Sequence, residues 1–122
     1  MKLKKVRIVV ESRDLVMARW GEALKGKVRS PRGVEVISVG SWDVLAKVLA
    51  APRLQILTTI SQLKPQSTAH LARLLGRDFK NVHADVRFLA DLGLIDLRPS
   101  GTRGALVPIA KFSEIELPLA AA

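Results

Sequence analysis

The chain has 122 residues, no cysteine, 48% hydrophobic residues and a formal net charge of +9, from 20 Lys+Arg against 11 Asp+Glu. That length gives one compact unit, or one small domain with an appendage, able to bury a core without staples, and the hydrophobic content excludes a chain disordered by composition. The charge points to a polyanionic partner, and with 4% aromatics and no Tyr the partner expected is duplex DNA rather than a single strand held on aromatic platforms.

The absence of cysteine fits a reducing compartment. Met1-Lys2-Leu3-Lys4-Lys5 is followed by Val6 to Val10 interrupted by Arg7, unlike the apolar core of a signal peptide. No apolar run approaches the ~20 residues of a membrane span. A cytoplasmic protein with no membrane partner is expected.

Residues 4 to 11 alternate, with Val6, Ile8 and Val10 on one side, which predicts a strand. Ser12 is placed to cap a helix running to about Lys25, with Val16, Trp20, Ala23 and Leu24 as its buried face and Gly26 as its stop. Lys27 to Gly33 is a loop, and Val34 to Val39 a second strand. Residues 1–40 thus form a β-α-β unit, too small to be stable alone; it packs on the rest of the chain or serves dimerisation. Lys25, Lys27, Arg29 and Arg32 put four positive residues within eight and are possible contacts to a nucleic-acid backbone; a solvated loop explains them equally well.

Ser41 caps the next helix, Trp42 to about Ala50, with Trp42, Leu45 and Leu49 inward. Pro52 suits the first turn of the following helix, where its missing N–H costs nothing. That helix carries Leu54, Leu57, Ile60 and Leu63 and ends before Pro65.

Ser67 to Ile95, STAHLARLLGRDFKNVHADVRFLADLGLI, is the stretch that carries the functional reading. Ser67 caps a short helix whose apolar side is Leu71, Ala72, Leu74 and Leu75, and Gly76 ends it. Asp78 caps a second helix in which Val82, Val86 and Leu89 make one buried stripe, and Gly93 closes it. The opposite face carries Lys80, Asn81, His83, Ala84 and Arg87. This is the layout of a helix-turn-helix, although periodicity alone fits a helical hairpin inside a core equally well. The residues after Gly93 shift the balance. Ile95-Asp96-Leu97-Arg98 alternates like a strand. Pro99 to Gly104 is turn chemistry. Ala105 to Ile109 returns, with Pro108 marking an edge position or the strand's end. A helix, a turn, a helix and a hairpin with a basic tip make a winged helix. Glu114 to Leu119 alternates again and reads as a final edge strand, open to pairing with the N-terminal unit, with Ala120 to Ala122 frayed. The fold class expected is α+β: a winged helix-turn-helix over 41–122, with an N-terminal β-α-β extension and a C-terminal edge strand.

The run from Leu45 to Ile95 resembles the DNA-binding domains of ArsR- and MarR-like prokaryotic transcriptional regulators. Ala51-Pro52-Arg53-Leu54-Gln55-Ile56-Leu57 is similar to the opening of their second helix, Ser67 to Gly76 to their positioning helix, and Val82 to Ile95 to their recognition helix with its exit into the wing. VHADVRFLADLGLI is similar to a group of small regulators, some encoded beside a toxin. The resemblance implies a dimeric transcriptional repressor, or alternatively an antitoxin that holds a toxin and represses its own operon. Metal-sensing members use cysteines or histidine-carboxylate clusters; with no Cys here, metal sensing is not carried over, and no cofactor is expected.

For DNA, the residues expected to make contact are Ser67, Thr68, Lys80, Asn81, His83, Ala84, Arg87, Thr102 and Arg103. Asn81 suits a bidentate contact to adenine, and Arg87 or Lys80 a guanine or a phosphate. His83 suits either a base edge or a phosphate. Ser67 and Thr68 lie at a helix N-terminus, where anions bind; His70 beside them suits a surface cap equally well. Thr102 and Arg103 at the hairpin tip suit a flanking minor groove. Catalysis is not expected. His70 and His83 are the chain's two histidines, His83 and Asp85 point to different helix faces, and the sequence holds no Gly-rich phosphate loop and no H-E-x-x-H. Asp78, Asp85 and Asp91 are expected to cap helices, to pair with arginines or to keep the helix soluble.

Overall fold

The computed structural model of the chain describes residues 4–11, 34–101 and 104–119. Within them the chain is mixed α+β, with four helices and five strands arranged as one three-stranded and one two-stranded sheet. It divides into two compact units, residues 1–47 with 114–122, and residues 48–113. The boundary between the units follows residue 47, and residues 114–122 go with the N-terminal residues.

In the first unit β1 (Lys4–Val10) and β2 (Val34–Val39) pair in parallel, with Val6 opposite Glu35 and Ile8 opposite Ile37. Parallel pairing is what a β-α-β reading requires. The helix expected between Ser12 and about Lys25, and the loop bearing Lys27, Arg29 and Arg32, lie outside the described residues. The last strand, β5 (Phe112–Glu116), lies on the other side of β1, giving the order β2-β1-β5. The strand is set earlier than its Ile115-Leu117-Leu119 alternation implied, and Leu119 is 82% exposed. On the central strand Val6 and Ile8 are buried, while Arg7 between them donates to Glu116 Oε2 at 3.0 Å from Nη2 and 3.2 Å from Nε. Lys5 adds ion pairs to Glu114 at 3.5 Å and Glu116 at 3.8 Å. Such half-exposed pairs contribute a few tenths of a kcal/mol, up to about 1; they fix register more than stability.

Helix α1 (Trp42–Val48) starts at Ser41, whose Oγ accepts the Val44 N–H at 3.2 Å. Leu45 and Val48 are buried, whereas Trp42, expected inward, is 59% exposed. A three-residue step turns about 300°, so a stripe centred between Leu45 and Val48 leaves Trp42 about 90° away.

The second unit is built on α2 (Ala51–Leu63), α3 (Thr68–Leu75) and α4 (Phe79–Asp91), followed by the antiparallel pair β3 (Ile95–Pro99) and β4 (Leu106–Ala110). α2 packs on α3, α4 and β4. Its buried residues are Ile56 and Ile60; Leu54 is 38% and Leu63 59% exposed. The expected series Leu54, Leu57, Ile60, Leu63 sweeps about 180° around a helix, so it cannot all face one core, whereas an i, i+4 pair can. Leu71 and Ala72 of α3, Val82, Val86 and Leu89 of α4, and Leu94 and Ile95 complete this core. Leu74, expected with them, is 43% exposed.

The helix ends follow from sequence. Ser67 is extended and accepts the His70 N–H at 3.0 Å. Gly76 takes φ 64°, and the bonds Gly76 N–H to Arg73 O and Arg77 N–H to Ala72 O close α3 in a Schellman turn. Asp78 then caps α4, accepting the Asn81 N–H at 3.4 Å. Gly93, with φ 86°, and Leu94 repeat the Schellman pattern at the other end, bonding Ala90 O and Leu89 O. In the β3–β4 pair Leu97 faces Pro108, which is buried; a two-stranded sheet leaves each strand an outer edge, where proline's missing N–H costs nothing. Among the described residues no single helix is long and apolar enough to cross a membrane.

Candidate functional site

The caps set which side of α4 turns outward. With Val82, Val86 and Leu89 fully buried, Lys80, Asn81, His83, Ala84 and Arg87 are all on the outer side, and none of them is buried. An ideal helix turns about 100° per residue, so Lys80, His83, Ala84 and Arg87 share an arc of about 100°, and Asn81 lies about 60° beyond its Ala84 edge. Asn81 is therefore at the flank of the face rather than in its middle.

Phe79, the first residue of α4, is not among the residues expected to make contact. It is 50% exposed, and its ring stacks on the His83 imidazole with centroids 5.6 Å apart and planes at 23°. The i, i+4 spacing of an aromatic and a histidine is the sequence signal that marks the pair.

Thr68 does not belong with the expected contacts. It is 5% exposed, and its hydroxyl donates to the Leu106 carbonyl at 3.4 Å, tying the start of α3 to β4. Ser67 has its oxygen engaged as the cap, and His70 Nδ1 accepts the Gln66 N–H at 3.0 Å, which makes it a cap as well. Thr102 and Arg103 lie outside the described residues, as do Lys25, Lys27, Arg29 and Arg32. Arg98, near the base of the hairpin, sits 3.7 Å from Asp96 on the surface.

Behind α4, Asp85 gathers two arginines. Arg77 Nη2 donates to Oδ2 at 2.9 Å, and Arg53 Nε lies 3.3 Å from Oδ1, with its guanidinium 4.3 Å over the Phe88 ring. The carboxylate neutralises one of the two charges, and the cluster locks α2 and the turn before α4 to the middle of α4. Arg77 Nη1 is buried without an acceptor among the described residues.

An open groove of about 510 Å³ between α2 and α3 is lined by Leu54, Thr58, Thr59, Leu74 and Leu75 among others, with no titratable side chain. It offers van der Waals surface and a few hydroxyls. Among the described residues no three His, Cys, Asp or Glu side chains converge as a metal site needs.

The family HVO_A0114 matches residues 48–117, more than half of the chain, and the chain belongs to it. The match begins at Val48, the first residue of the second unit, and runs through that unit into the residues after β5. The family's name states no activity. No curated protein and no solved structure matches the chain.

Proposed function

We propose that the second unit is a winged helix-turn-helix and that the chain is a sequence-specific regulator of transcription that binds double-stranded DNA, acting as a dimeric repressor. In this reading α3 is the positioning helix, α4 the recognition helix and the β3–β4 pair the wing. The observation that carries it is the uncovered outer face of α4, where Lys80, His83, Ala84 and Arg87 stand together on a chain of net charge +9. A helix fits the major groove, and the first turns of a recognition helix are those that meet base edges. The hairpin after Gly93 supports the same reading, because Thr102 and Arg103 fall in the sequence between its two paired strands. A dimer would set two such helices about 34–36 Å apart on an inverted repeat. The antitoxin alternative rests on the sequence resemblance alone.

Gel-shift titration of the duplex upstream of the chain's own coding region, against random competitor, tests the reading. Retention of the upstream duplex under an excess of random DNA is expected; equal displacement by both would reduce the chain to a non-specific binder, and no shift at low salt would overturn the reading.

A further inference from the structure

The outer face of α4 combines two kinds of chemistry. Lys80 and Arg87 supply positive charge, while Phe79 and Ala84 supply apolar surface, and all four, with His83, fall within an arc of about 140° on an ideal helix. Charge alone would be met by any phosphate. Phe79 adds what charge does not: half of a large apolar ring left in water on the same face as the cations. Its placement is fixed on both sides: the Asp78 cap sets the turn before it, and the stack on His83 covers one face of the ring.

That stack also narrows what the ring can meet. Single-stranded nucleic acid is held by aromatic faces free to stack on successive bases. Here Phe79 and His83 have each given a face to the other, and with 4% aromatics and no Tyr the chain has no run of platforms for successive bases. The major groove of duplex DNA offers phosphates for the cations and one apolar group at base level, the 5-methyl of thymine, for which phenylalanine and alanine are suitable contacts. We infer that Phe79, braced by His83, reads a thymine 5-methyl group in the major groove, so that the chain's binding site holds a thymine whose methyl is itself recognised. The inference rests on the duplex-DNA reading above and adds to it a residue and a base.

The test uses the full chain and duplexes it enriches from a pool with a randomised core. Each thymine of the enriched duplex is replaced in turn by deoxyuridine, which removes the methyl and leaves every hydrogen-bonding edge unchanged. One position per half-site is expected to lose roughly fourfold in affinity, the worth of one buried methyl. In Phe79→Ala that loss should disappear, and in Phe79→Leu, which keeps apolar surface at the same place, most of it should remain. The deoxyuridine series on the unaltered chain stands on its own if a variant folds poorly. If the chain enriches a sequence but no deoxyuridine weakens it, or if Phe79→Ala keeps the full methyl effect, the inference is overturned while the DNA reading stands. If no sequence is enriched, the DNA reading fails and the inference with it.

Discussion

Arg77 and Asp85 meet at 2.9 Å, joining the turn between α3 and α4 to the middle of α4. Both side chains are less than one-third exposed, and Arg53 shares the same carboxylate. Because the partners are 8 residues apart across a helix start, the pair fixes how α4 leaves the turn, and so where its outer face is aimed.

Asp85→Asn keeps the size of the side chain and removes the charge that holds both arginines. A loss of about 1.5–3 kcal/mol in unfolding free energy is expected, the range for hydrogen bonds to charged groups. Asp91→Asn, on the exposed end of the same helix, should stay within about 0.5 kcal/mol of the unaltered chain. Urea titrations of the two variants check this; equal effects would mean that the cluster is surface decoration.

Gly76 takes a left-handed conformation with open space where a Cβ would go. Gly76→Ala therefore meets no clash and should cost only the conformational penalty, about 1–2 kcal/mol. Gly76→Asn should cost less, since asparagine tolerates that region. A larger loss for asparagine than for alanine in thermal melts would contradict the Schellman turn seen here.

Thr68→Val removes the hydroxyl that donates to Leu106 and leaves a carbonyl to find another partner, at a cost of about 1–3 kcal/mol. On the DNA reading, Thr68 is turned inward and its loss should leave the salt dependence of binding unchanged. A shallower salt slope in Thr68→Val would restore it as a phosphate contact.

How much of this is legible in the sequence differs by element. Both caps, both glycine stops and the Val82-Val86-Leu89 stripe follow from local rules, and each is found where the spacing puts it. The β3–β4 pair is legible from alternation and turn residues for the same reason. Trp42, Leu54 and Leu63 defeat the sequence reading because three-residue spacing drifts around a helix, and only packing decides which side wins. Thr68 defeats it because its partner, Leu106, is 38 residues away, so no local pattern shows the bond. The Arg53–Asp85–Arg77 cluster is tertiary in the same way; the sequence leaves capping, arginine pairing and solubility open for Asp85 and names no partner.

On the DNA reading, Arg87→Ala should weaken binding to specific and random duplexes alike and make the salt slope shallower by about 1, the signature of one lost phosphate contact. Arg103→Ala is expected to behave the same way. Asn81→Ala should instead relax preference at one base pair by about 1–3 kcal/mol. Competition assays at several salt concentrations separate the two behaviours; identical profiles for Arg87→Ala and Asn81→Ala would undo the division into anchor and reader.

The most direct measurement uses the absence of cysteine. Ala84→Cys places a single thiol on the outer face of α4, to which a tethered DNA-cleaving iron chelate can be attached, and Gln62→Cys on the exposed part of α2 serves as control. Bound to the upstream duplex, the label at position 84 should cut within the major groove at the centre of each half-site, and the label at position 62 should cut weakly or outside it. Cutting at position 62 equal to that at 84, or no cutting from 84 on a duplex that is demonstrably bound, would contradict the claim that this face of α4 is the one that meets DNA.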